Sequence, residues 1–180
     1  MLRNLLILVL IFNCFFCFSQ NKKTLIKEGN SLYNDSSYNM AEMKYRKSLE
    51  KDQDYFNAAF NLADAIYKQN RFEESTSLFD ALKDNARNNE DLARINHNLG
   101  NSYLKENKLE QAIEEYKSSL RLNPNDEETR YNLAYAQKMK QQQDQKQDQQ
   151  KDQQQDQQQD QQQDQQQDKQ QDQQQDKQQD

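Results

Sequence analysis

Cys14 and Cys17 stand at Cys-x-x-Cys spacing, which in a thiol–disulfide enzyme supplies a nucleophilic thiolate and its resolving partner. That chemistry needs an electropositive setting, whereas both thiols fall inside the apolar run from Leu5 to Phe18. A lipid-modified cysteine is the other chemistry to weigh, but Phe12-Asn13 and Phe15-Phe16 stand where a lipoprotein signal carries small residues. His97 is the single histidine, and one imidazole with no carboxylates or thiols at ligand spacing makes no metal site. Asp144, Asp148, Asp152 and their successors recur at every fourth residue to Asp180, without the close clustering and turn glycine of a calcium loop. The chain has two glycines, hence no glycine-rich phosphate loop, and no nucleophile–base pair or acid dyad is recognisable. The reactive side chains point to no catalytic, cofactor or metal role.

The elements around these residues begin with a targeting segment. Arg3 supplies one positive charge ahead of a 14-residue apolar run. A membrane-crossing helix takes about 20 residues, so the run is short for a span. Cys17-Phe18-Ser19 then places small residues at the −3 and −1 positions of a cleavage site before Gln20. Residues 1–19 are read as a signal peptide, and the protein is expected to be exported. The competing reading is an uncleaved anchor. Cleavage leaves a chain with no cysteine, which an oxidising compartment cannot damage through thiols. Residues 141–180 hold ten Asp against four Lys, which accounts for the whole net charge of −6. Residues 1–140 are neutral and lack the basic footprint that a phosphate backbone requires. Nucleic acid is not an expected partner.

Between these ends lies an internal repeat. Three segments align, Lys22–Tyr55, Phe56–Asn89 and Ala93–Asp126, the first two abutting at a 34-residue period. Glu90-Asp91-Leu92 precede the third as a longer loop or an extra helical turn. Each unit carries a small residue midway along its first helix (Gly29, Ala63, Gly100) and another twelve residues later (Ala41, Ser75, Ala112). One helical turn beyond comes an aromatic ring: Tyr45, Phe79, Tyr116. Small residues let the two helices approach, and the ring fills the space beside them. Ser36, Asn70 and Asn107 stand at the break between helices, where a left-handed C-cap is needed and Asn is the best substitute for glycine. After the third unit, Asn125 and Glu128 suggest a capping box. The segment Arg130 to Ala136 then repeats the first-helix pattern with no second helix behind it. A lone helix of this kind, at about 126–140, caps the exposed apolar end of a solenoid.

This pattern is identified as that of the tetratricopeptide repeat (TPR) family. Leu99-Gly100, Tyr103, Ala112, Tyr116 and Pro124 carry the fullest match, while Ala63, Ser75 and Arg87 depart from the family pattern in the second unit. The resemblance covers Lys22 to about Gln137 and implies an all-α superhelix of three helix-turn-helix repeats with a capping helix over residues 20–140. It also implies that fixed first-helix positions line a concave groove. Mapped onto this chain they are Lys23, Ile26, Asn30 and Tyr33, then Asn57, Phe60, Asp64 and Tyr67, then Arg94, His97, Asn101 and Leu104, with Tyr131 and Tyr135 from the capping helix. Rings among amides suit an extended peptide or a partner helix. Each tyrosine could equally serve packing between repeats. Some family members clamp a peptide's terminal carboxylate with two Asn and three basic residues. Asn30, Asn61 and Arg94 match that clamp, but Ile26 and Asn98 replace two of its cations.

From Gln141 the chain is a Gln/Asp/Lys tail with no apolar residue, which cannot build a core. Like charges at i and i+4 oppose helix there, so a solvated tail is expected, with helix extending into it from the capping segment. Signal peptide, three TPR units, the junction Asn123–Gln143 and this tail together resemble the BatC-type TPR proteins of Bacteroides aerotolerance (Bat) operons. The resemblance implies a periplasmic scaffold working beside membrane proteins with von Willebrand A domains, in stress tolerance or envelope assembly. Membrane association would come through those partners or through an uncleaved N-terminus. The alternative is a chaperone-like binder of exported or outer-membrane protein segments.

Overall fold

The computed structural model describes residues 21–147, 149 and 151. The targeting segment 1–19 with its cleavage site, Cys14 and Cys17, and the tail past residue 151 lie outside the described residues. The chain divides into two units, one ending at Ala136 and one beginning at Gln137. In the second, residues 137–147, 149 and 151 are helical, and Lys140 donates to Asp144 at 2.5 Å.

The first unit is all-helical among its described residues. Its helices are α1 (Lys22–Asn34), α2 (Tyr38–Lys51), α3 (Phe56–Lys68), α4 (Phe72–Leu82), α5 (Asn89–Lys105) and α6 (Leu109–Leu122), followed by α7 over 127–136. Each packs on its neighbours in the chain, giving three helix pairs and a final single helix. The insertion before the third pair is helical. It gives α5 an extra turn, capped by Asn88, whose side chain accepts from the Asp91 backbone N–H at 2.8 Å.

All three intra-pair turns use one device. Ser36, Asn70 and Asn107 adopt φ of 57°, 62° and 59°, the left-handed region. The next residue then bonds back five positions: Ser37 to the Leu32 carbonyl at 2.8 Å, Arg71 to Ile66 at 3.3 Å, Lys108 to Tyr103 at 2.9 Å. These satisfy carbonyls that a helix end otherwise leaves open and reverse the chain within three residues.

The start of α7 differs from the capping box read from Asn125 and Glu128. Asp126 is the cap: its carboxylate accepts from the Thr129 backbone N–H at 3.0 Å and from the Thr129 hydroxyl at 2.6 Å. The reason is local. A bond from the Asp126 backbone N–H to the Asn123 carbonyl at 3.4 Å makes Pro124 and Asn125 the centre of a turn, so the cap falls one residue later.

Within each pair, the ring on the second helix lies against the small residue of the first. Tyr45, Phe79 and Tyr116 are fully or almost fully buried, as is Ala63. A Cβ on Gly29 would meet Tyr45 at 2.5 Å, and one on Gly100 would meet Tyr116 at 2.5 Å. Tyr45 and Tyr116 are also tethered, their hydroxyls donating to Asn30 Oδ1 at 2.8 Å and Asn101 Oδ1 at 2.7 Å. Phe79, against Ala63, has no hydroxyl to tether it. Ser75, where the other pairs carry Ala41 and Ala112, satisfies its buried hydroxyl on the Ala63 carbonyl at 3.0 Å.

Because a tethered ring cannot retreat, Gly100→Ala is expected to destabilise the protein by about 1–3 kcal/mol despite alanine's better helix propensity. The same change in a Tyr116→Phe background should cost clearly less. Urea unfolding of the four members of this cycle measures the coupling.

Candidate binding groove

The first helix of each pair and α7 carry the residues expected to face the groove, and the structure sorts them into three groups. Asn30, Tyr33 and Asp64 share a cleft of about 200 Å³ with Asn34, Tyr45 and Asn61. Tyr67, Asn101, Tyr131 and Tyr135 share a second, of about 340 Å³, with Lys68, Leu104, Lys105, Glu128 and Asn132. Phe60, Arg94 and His97 line neither cleft. Phe60 is buried, edge-on to Phe79, and the Arg94 guanidinium covers it at 4.3 Å. Asn57 is exposed near the start of α3, outside both clefts.

The ring side chains differ in what they offer. Tyr131 is 72 % exposed and Tyr135 49 % exposed, so neither is consumed by packing. Tyr33 and Tyr67 are half-buried and sit edge-on to Tyr38 and Phe72, at 5.2 and 5.3 Å between ring centres. They are partly packing residues and partly groove wall.

His97 links the last pair to α7. Asn101 Nδ2 lies 2.9 Å from its Nε2, and its Nδ1 lies 2.6 Å from Thr129 Oγ1. Thr129 donates onward to Asp126, so the imidazole belongs to a chain of hydrogen bonds that docks the capping helix. Glu128 approaches Nε2 at 3.7 Å. Among the described residues no group of three or more His, Cys, Asp or Glu is placed to hold a metal ion.

The residues matching a carboxylate clamp do not form one. Asn61 Nδ2 donates to Asn30 Oδ1 at 2.8 Å, so the two amides hold each other. Ile26 is in the core, and Arg94 lies over Phe60. The amide pairing recurs one level on, where Asn132 Nδ2 donates to Asn101 Oδ1 at 3.0 Å. Asn132 was legible in principle, since it occupies the same place on α7 as Asn61 does on α3. Lys68 and Lys105 were not, because a lysine at a helix end reads as a solvated residue.

Asp64 dominates the electrostatics. Burial pushes its carboxyl above the usual aspartate range, against the opposing pull of a Tyr33 hydrogen bond and of Lys68, Arg94 and His97 further off. It raises the neighbouring phenols in turn. Tyr33 stays protonated far above the ordinary tyrosine value, through burial first and Asp64 second. Tyr45 is pushed up to about 12 by burial and then by Asp64.

Two TPR family models match the chain, one described as "Tetratricopeptide repeat" over residues 26–90 and one as "TPR repeat" over residues 100–141. The chain is a tetratricopeptide-repeat protein. Solved structures share its fold. The first TPR of Spaghetti (RPAP3), bound to the HSP90 peptide SRMEEVD, superposes with a TM-score of 0.62 at 23% identity, covering 67% of this chain and 94% of that one. MamA (residue 41 to the end) from Desulfovibrio magneticus RS-1 gives 0.62 at 22% identity, covering 67% and 66%. The Sgt2 TPR domain from Aspergillus fumigatus gives 0.63 at 15% identity, covering 69% and 82%. No curated protein matches the chain.

A carboxyl group raised on folding costs stability wherever the unfolded chain would be ionised. Asp64→Asn is therefore expected to stabilise the protein at pH 7. The gain should shrink as pH falls from the raised folded value towards 3.8, and vanish below it. Urea unfolding of both proteins across that range measures it.

Proposed function

We propose that this chain is a non-catalytic protein-interaction scaffold of the bacterial envelope that takes an extended peptide or partner helix on the concave face of its first helices. The observation that carries the reading is the exposure of Tyr131 and Tyr135 beside Tyr67 in one cleft with Asn101 and Asn132. Large rings with polar tips bury area at small entropic cost, which suits the side chains of a peptide or helix. The RPAP3 domain of the same fold holds a peptide, which supports this use of the surface. Ile26 and Asn98, standing where two of the three clamp cations would be, argue against capture of a C-terminal carboxylate as the mode.

The Bat-type resemblance supplies the setting: an exported, periplasmic scaffold beside inner-membrane proteins with von Willebrand A domains, serving stress tolerance or envelope assembly. A stoichiometric scaffold should recover one or two such membrane proteins from detergent-solubilised envelope, with the Gln/Asp tail present or deleted. Tyr131→Ala/Tyr135→Ala, both at exposed rings, should weaken capture at least tenfold while leaving the fold intact. Recovery of no envelope partner by either form would sink the scaffold reading. Recovery of a broad set of unfolded exported chains would replace it with the chaperone-like one.

A further inference from the structure

We infer that the cleft between Tyr33 and Asp64 is a subsite for one cationic side chain, a lysine ammonium or arginine guanidinium, of the peptide or helix that the groove takes. This rests on the groove reading and names what one part of the groove selects.

The three units differ at one position of their first helices. Asn30, Asp64 and Asn101 are equivalent, and so are the rings Tyr45, Phe79 and Tyr116 that follow them. In the first and third units the position is neutral and internally satisfied. The amide oxygen of Asn30 accepts from Tyr45 at 2.8 Å and from Asn61 at 2.8 Å. That of Asn101 accepts from Tyr116 at 2.7 Å and from Asn132 at 3.0 Å. In the second unit the ring and the acceptor both differ, while Asn98 stands where Asn61 and Asn132 do. Phe79 has lost the hydroxyl, and the amide has become the carboxylate of Asp64. The ring hydroxyl that helps close the rung at Asn30 and Asn101 is missing here, and the acceptor carries a charge.

A half-buried carboxylate needs a counter-charge or several donors to offset the water it has lost. Asp64 has the Tyr33 hydroxyl, which is neutral. Among the described residues no cation lies within ion-pairing distance of it. Arg94 spreads over the Phe60 ring and pairs with Asp91 at 3.8 Å, and the Lys68 ammonium lies 5.8 Å from the centre of the Tyr67 ring. These two charges soften the field at Asp64 from a distance without occupying its oxygens. The position is costly where its sibling units use asparagine at no such cost, which is the mark of a residue serving binding rather than folding.

The surrounding cleft fits the head of a cationic side chain. Its volume of about 200 Å³ admits a single ammonium or guanidinium with part of its stem. Tyr33 supplies ring surface, and Asn30, Asn34 and Asn61 supply amides around the carboxylate. A guanidinium brings five N–H donors and an ammonium three, against an acceptor that has one neutral donor. An anionic side chain would meet Asp64 head-on. A neutral donor would leave the charge uncompensated.

The test is selection from a phage-displayed library of random twelve-residue peptides on wild-type protein, Asp64→Asn and Tyr131→Ala/Tyr135→Ala. Asparagine at this position occurs in both sibling units, so Asp64→Asn keeps the fold. The expected result is a set of wild-type binders with Lys or Arg at one fixed position. Their affinity should fall about tenfold or more on Asp64→Asn, the range of a lost charge-assisted bond. The double tyrosine variant should lose binding irrespective of that position. Binders without a fixed basic residue, or binders that Asp64→Asn holds equally well, overturn the subsite and leave the groove reading standing. Absence of any groove-dependent binder overturns both.

Discussion

The rest of the first unit depends on one contact made three times, an aromatic ring seated on a small residue of the paired helix. It sets how closely the two helices of each pair approach. In the first and third pairs the fit leaves no room for a methyl group, since a Cβ on Gly29 or Gly100 would lie 2.5 Å from a ring carbon. The same rings reach through to the groove side, where the hydroxyls of Tyr45 and Tyr116 hold Asn30 and Asn101. Packing inside a pair therefore decides which groove amides are spoken for. Those amides in turn bind Asn61 and Asn132 of the next helix level. Core geometry and groove chemistry are joined by one residue type.

Much of the architecture was legible because it depends on residues with few substitutes. Small residues twelve apart, with a ring one turn later, report a close helix pair. Ser36, Asn70 and Asn107 report turns because the backbone there takes positive φ. The start of α7 was misplaced by one residue because Asn125 is as good a cap as Asp126. What decides between them is the turn through Pro124, a backbone bond that residue type does not reveal.

The groove was less legible, because a helix position states which way a side chain faces but not what already occupies it. Phe60 and Arg94 hold the expected positions, yet the ring is buried and the guanidinium covers it. His97 occupies a groove position but spends both nitrogens on Asn101 and Thr129, docking α7. Asp64 looked like one polar residue among several. Its distinction appears only beside Phe79, where a hydroxyl missing from one helix leaves a carboxylate open on another. A comparison of equivalent positions across the units would have exposed that pairing from the letters alone.

The proposed function puts a protein partner on the concave face formed by the first helices and α7. A photo-crosslinking amino acid in place of Tyr131 samples that face, and one in place of Lys117, exposed on α6, samples the outer face. On irradiation in intact cells, a partner on the concave face gives a discrete cross-linked species from position 131 and none from position 117. The same species from 117 and none from 131 would contradict it.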